Sequence, residues 1–269
     1  MTRFLTHVLL ERPAALSVWG LMAEMRRFVA PGIFEDLAPL DPPPSGKPEG
    51  TILLSVEGSG VVVMFKEGPL PPESLKLARL GPERPEEAER AASARAHAVV
   101  GLVEAPTGAA SALRGARTIS LTAGVLAELF QAPAAIFSEG RTLVSGPDLI
   151  AAAREIRAGG IPARIWVGCD LREGPEGCGA VTRGLTPFVG RELQIHPCPL
   201  EAAALRRRLT DMALPLIHSG IGFQDGATIA LSSGDRFQAR HLVASPLTGE
   251  PVVGLTLEEA LAEPARRSA

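Results

Sequence analysis

Tyrosine is missing from this sequence altogether, and nine Phe and two Trp are its only aromatic residues. A module that stacks bases on aromatic side chains has little to work with here. Neither sign of charge dominates: 27 basic residues stand against 30 acidic ones, for a net charge of −3. No long-range positive field draws the chain toward nucleic acid or anionic lipid. Long hydrophobic runs are lacking too. No segment approaches the roughly 20 apolar residues of a membrane helix. The opening MTRFLTHVLLERPAAL has neither the apolar stretch nor the small-residue cleavage site of a secretory signal. The three cysteines, Cys169, Cys178 and Cys198, form no CxxC pair, and their odd number suits a reducing compartment. The expected setting is cytoplasmic, without membrane or nucleic acid as a partner.

What is present is an ordinary globular composition, 46% hydrophobic and 21% charged over 269 residues, enough to bury a real core. FLTHVLLE (4–11) predicts a strand, and SVWGLMAEMRRF a helix capped by Ser17, with Val18, Leu21, Met22, Met25 and Phe28 on one face. Residues 31–50 hold six prolines and predict a long loop. TILLSVE and VVVMFKE flank Gly58-Ser59-Gly60, a hairpin signal. Helical pieces in PPESLKLARL and PEEAERAASAR precede a strand in HAVVGLVEA (97–105). TISLTAGVLAELF (118–130) predicts an amphipathic helix.

A second series follows. PAAIFSE is a strand, and SGPDLIAAAREIRAGG is a helix punctuated by Ser145, Pro147 and Gly159-Gly160. ARIWVGCDLR, CGAVTRGL and ELQIHP predict strands. LEAAALRRRLTDMALPLI places Leu205, Leu209, Met212 and Leu216 at helical spacing, with Pro215 expected to kink or end the helix. ATIALSS and RFQARHL make a last strand pair. The expected fold is α+β, two ferredoxin-like β-α-β-β-α-β halves packed into one compact unit. The N-terminal half is residues 1–106, the C-terminal half 107–257, and 258–269 a flexible tail.

The stretch LIHSGIGFQDGATIAL has the composition of a phosphate loop or a hydrolase site. Such loops need a strand before the glycines and a helix after them, and here the order is reversed. Gly220 falls where a glycine closes a helix, with His218 in the last turn, and Asp225-Gly226 is a turn into a strand. His218, Gln224 and Asp225 are kept as a candidate ligand or partner loop. Cys169, Cys178, His196 and Cys198 are soft ligands, but their spacing matches no common zinc motif, and buried thiols explain them as well. Glu11, Glu57, Glu67, Glu104 and Glu139 each end a predicted strand, where solvation is the favoured explanation. No GxSxG follows a strand and precedes a helix. His7 and His97 lie in or beside strands as structural residues. The Arg206–Arg208 run belongs to the solvent side of a helix. No catalytic residue, metal or cofactor is expected.

Five stretches follow one another along the chain: HAVVGLVE, ISLTAGVLAELFQAPAAIFSEG, ARIWVGCDLR, TRGLTPFVGRELQIHP and GIGFQDGATIAL. Over roughly residues 95–257 they resemble an uncharacterised bacterial family, domain-of-unknown-function family 4261. The matching positions are Thr182, Gly184, Leu185 and Glu192, then Asp225, Gly226, Thr228 and Ile229. Arg183 and Val189 depart from it, standing where a small or aliphatic residue and a glycine are expected. The resemblance implies a bacterial protein and brings no reaction, cofactor or catalytic residue.

The expected role is therefore binding or interaction without catalysis, with an unknown protein partner or small ligand. A cleft gathering Glu104, Glu139 and a histidine would speak against it. The alternative is an enzyme of unassigned class, such as a hydrolase, with its site between the two halves and the His218–Asp225 loop at the rim. A homodimer through the apolar strands VVVMF and HAVVGLV is a further expectation, unless the chain's own helices cover them.

Overall fold

Leu5–Leu10 forms β1, and its alternating side chains divide between two cores: Val8 and Leu10 enter the larger one, Leu9 the smaller. The structure, a computed structural model, describes residues 4–28, 36–40, 50–79, 85–175, 177–245 and 247–258. The tail beyond residue 258 and most of the proline-rich 31–50 segment lie outside these residues. Helix α1 (Val18–Phe28) buries Leu21, Met22, Met25 and Phe28, and Ser17 Oγ accepts the Gly20 N–H at 3.0 Å. A short β2 (Ala38–Pro39) edges β3 (Thr51–Val56), where a proline does least harm. Strand β4 (Ser59–Glu67) follows directly, because Val56 pairs with Ser59. The hairpin turn is thus Glu57-Gly58, both at positive φ (49° and 73°), starting one residue and ending two residues earlier than the Gly58-Ser59-Gly60 signal suggested.

After α2 (Pro72–Arg79) and α3 (Pro85–Ser93) come β5 (Ala96–Leu102), α4 (Ala109–Phe130), β6 (Ala134–Phe137), β7 (Thr142–Ser145) and α5 (Gly146–Arg157). The first sheet has seven strands in the order β2-β3-β4-β5-β1-β6-β7, with every neighbouring pair antiparallel. The α+β class holds, but this is not the ferredoxin order. There the first strand lies between the third and the fourth, whereas here β5, the fourth of that series, separates β1 from β4, and β1 lies between β5 and β6. The sheet also runs past residue 106. The break between sheets falls after Ser145, not at the expected division into halves.

Helix α4 packs on the inner face of this sheet with α1 and α5 beside it. It begins well before the predicted residue 118. Ala112, Gly115 and Ala116 carry the early burial with small side chains that hydrophobic spacing does not register. Its buried Ser120 and Thr122 hydroxyls donate to carbonyls one turn back, so they carry no desolvation debt. Val61 and Val63 of β4, and Ala98 and Val100 of β5, point into this core. The chain's own helices therefore explain half the apolar residues that suggested a dimer face.

ARIW is not a strand: Ala163–Trp166 is one helical turn, α6, with Ile165 and Trp166 both buried. The second sheet comprises β8 (Gly168–Gly174), β9 (Gly177–Arg183), β10 (Glu192–Cys198), β11 (Thr228–Ala230), β12 (Arg236–Leu242) and β13 (Val252–Leu257). Its order is β11-β12-β13-β10-β9-β8. Only β10 and β13 run parallel, joined by the long crossover through α8 (Ala202–Ser219). A one-turn α7 (Thr186–Val189) links β9 to β10. Helix α8 buries Leu205, Leu209, Met212 and Leu216 as spaced, continues one turn past Pro215, and stops at left-handed Gly220, whose N–H donates to the Leu216 carbonyl. Arg208 leaves the solvent side expected for it and pairs with Asp235 at 2.6 Å. Among the described residues no helix is long and apolar enough to cross a membrane.

The two sheets meet where three glycines interleave. A Cβ on Gly168 would lie 2.0 Å from the Gly140 oxygen, and one on Gly140 would lie 2.3 Å from the Trp166 oxygen. One on Gly184 would lie 2.4 Å from that same oxygen. Backbone meets backbone with no room for a side chain. Behind this joint Phe188 of α7 packs between Phe4 and Trp166, with ring centroids 5.6 and 5.7 Å away.

Candidate functional site

Beside the glycine joint lies a cleft of about 570 Å³, within the range of small-molecule sites. Its walls come from both sheets: the β6–β7 turn with Glu139 and Arg141, the β9–α7–β10 segment with Arg183 and Glu192, and Glu250 ahead of β13.

Glu192 is part of the scaffold. Only 5% exposed, it accepts the backbone N–H groups of Gly184, Leu185 and Thr186 and the hydroxyls of Thr182 and Thr186, all at 2.7–3.1 Å. Thr182, Gly184, Leu185 and Glu192, the positions singled out in the sequence, are thus one hydrogen-bonded unit. It folds the β9–β10 connection over a carboxylate that has no acceptor capacity to spare. Arg183 is committed as well. Its Nε donates to Asp170 at 2.8 Å, both side chains being largely buried, and Nη1 reaches Glu250 at 3.3 Å.

Two groups are left over. Glu139 ended a predicted strand and was expected in solvent, as Glu11, Glu67 and Glu104 indeed are. Instead the β6–β7 turn tucks it against β1, where Oε2 accepts the Leu5 N–H at 3.2 Å. Burial pushes its carboxyl up from 4.5 to about 7, against the opposing pull of that N–H. Arg141 is half-buried on the same turn, at φ 50°, a left-handed conformation that costs a non-glycine residue energy. Its guanidinium makes no hydrogen bond or ion pair among the described residues.

The loop that drew attention in the sequence sits elsewhere. A cavity of about 400 Å³ lies between the end of α8 and strands β10, β12 and β13, and Gln224 lines it. His218 and Asp225 do not. His218 is exposed on the last turn of α8, while Asp225 Oδ1 accepts the His241 N–H at 2.7 Å. His241 Nε2 donates to the Phe223 carbonyl and Arg191 to that of Leu242, so the polar groups here hold the loop to β12.

Among the described residues no group of three or more His, Cys, Asp or Glu is placed to hold a metal. Cys178 faces Cys198 across β9 and β10, but a register shift separates Ile195 from Cys198, and His196 packs against Gly254 of β13. Burial pushes the Cys169 thiol up to about 12, leaving it inert as a nucleophile. His7 and His97 lie in β1 and β5 with rings 5.6 Å apart, and burial, first of all, lowers both, His7 to about 4. Glu104 is exposed after β5, so the cleft gathers Glu139 without Glu104 or a histidine.

No family model, curated protein or solved structure matches the chain.

Proposed function

We propose that the protein binds a small molecule in the cleft between its two sheets and holds it without transforming it. One observation carries this reading. Arg141 lines the cleft with a guanidinium that has no partner among the described residues, so its donors are free for a group from outside. Native mass spectrometry of the protein purified from cells under mild conditions tests it. The expected result is a bound mass that Arg141→Ala loses. A bare protein mass alone, from several growth conditions, contradicts the reading.

A second reading places an enzyme of unassigned class at the same cleft, favoured by the Glu139 carboxyl lying near neutrality. Catalysis requires the recovered ligand to be altered on incubation and Glu139→Gln to stop the alteration. Binding alone returns it unchanged. Membership of domain-of-unknown-function family 4261 is proposed on the order of the five sequence stretches. A cytoplasmic setting is proposed on the three free cysteines.

A further inference from the structure

Resting on the binding reading above, we propose that the ligand is a small zwitterion of the α-amino-acid class, its carboxylate on Arg141 and its ammonium group toward Glu139. The cleft offers two groups of opposite sign with hydrogen-bonding capacity that the described residues leave unused, wholly for the Arg141 guanidinium and in part for the Glu139 carboxylate. Arg141 presents a planar guanidinium, which suits a carboxylate. Glu139 accepts the Leu5 N–H at Oε2 and its own backbone N–H, which leaves part of a carboxylate's acceptor capacity free.

The remaining wall groups oppose a purely anionic ligand. The charged groups facing Glu139 across the cleft are Arg141 on its own turn, Arg183 from β9, Glu192 from β10 and Glu250 ahead of β13. Arg183 is already shared by Asp170 and Glu250, and Glu192 is saturated by backbone donors. Among the described residues lining the cleft, Arg141 is therefore the one uncommitted cation against Glu139 and the Arg183-bound carboxylates. A dianion such as phosphate meets more negative wall than positive. An amine without a carboxylate leaves Arg141 unpaired. A molecule carrying one of each sign satisfies both.

The protonation bookkeeping separates these cases. Near pH 7 Glu139 is partly protonated. An ammonium group arriving beside it favours the carboxylate, so the proton leaves Glu139 for the buffer. A ligand with only an anion favours the protonated form, and a proton is taken up.

Isothermal titration of the full chain near pH 7, in buffers of differing ionisation enthalpy, provides the test. Four sets of probes are used: the standard α-amino acids, the matching carboxylic acids without the amino group, the matching amines, and inorganic phosphate. The expected result is binding by at least one amino acid with net proton release, weakened about tenfold or more by Arg141→Ala and by Glu139→Gln and partly kept by Arg141→Lys. Circular dichroism of each variant checks that it is folded. Arg141-dependent binding of carboxylic acids or phosphate as tight as that of any amino acid, with proton uptake, overturns the zwitterion while leaving the binding reading standing. If no probe binds but native mass spectrometry still shows an Arg141-dependent mass, the zwitterion class is likewise overturned. Failure of both experiments removes the binding reading too.

Discussion

The 218–226 loop and the cleft between the sheets contain similar residue types, yet they use them in opposite ways. In the loop the chain itself uses the groups that drew attention: Asp225 holds the His241 N–H, His241 holds the Phe223 carbonyl and Gly220 ends α8, while His218 is left in solvent. In the cleft Glu192 is consumed in the same manner, but Glu139 and Arg141 are not. A histidine, a carboxylate and glycines near one another do not mark a site. What marks one is polar capacity left over after the fold has been satisfied.

The comparison breaks most easily at the glycine joint that creates the cleft. Gly168→Ala drives a Cβ against the Gly140 carbonyl, where only backbone could yield. It is expected to cost about 3 kcal/mol or more in urea unfolding. Gly226→Ala in the loop, at φ 78° with only the end of the Arg240 side chain near an added Cβ, at 3.7 Å, costs ~1 kcal/mol. Equal losses contradict the claim that the joint has no room for a side chain. Next in size, Glu192→Ala leaves buried N–H groups of Gly184, Leu185 and Thr186 unsatisfied and costs about 3 kcal/mol. Asp225→Ala strands one exposed N–H and costs ~1 kcal/mol in the same assay.

A smaller effect appears in the pH dependence of stability. Glu139 titrates near 7 in the fold against an ordinary 4.5, so the folded chain keeps a proton the unfolded chain has lost. Its contribution is greatest below the ordinary value and is lost as pH rises toward 7. His7 works in the opposite direction. Lowered from 6.5 to about 4, it stays neutral where the unfolded chain takes a proton, so stability is lost as pH falls through that window. The two slopes largely offset in the native protein. Glu139→Gln removes one of them, and urea midpoints should then rise between about pH 5 and about pH 7. An unchanged profile means that Glu139 is not buried as described. Smallest of all, His218→Ala changes stability by no more than ~0.5 kcal/mol and leaves ligand binding intact.

Much of the fold was legible in the sequence, because alternation in β4 and the i, i+3, i+4 spacing in α1 and α8 arise from burial itself. Ser145 and Gly220 marked helix ends through their own chemistry. What escaped was long-range. β7 and β13 were missed, each too short or too uniformly apolar to show a period. The insertion of β1 between β5 and β6 is a pairing choice that no local pattern records. The apolar ARIW segment had no feature to separate a buried helical turn from a strand. Glu139 carried the same strand-end signature as Glu11, Glu67 and Glu104, and only the tertiary position of its turn sets it apart. Arg141 gave no signal at all, since a positive φ at a non-glycine residue is imposed by the turn and not by its own side chain.

The most direct test of the central claim is Arg141→Gly, measured for both stability and ligand retention. If the Arg141 side chain serves a ligand and not the fold, glycine suits the left-handed turn position and the ligand-free protein gains ~1 kcal/mol, while the mass seen by native mass spectrometry disappears. A loss of stability with the bound mass retained would mean that Arg141 serves the fold and not a ligand, and the account of the cleft would be wrong.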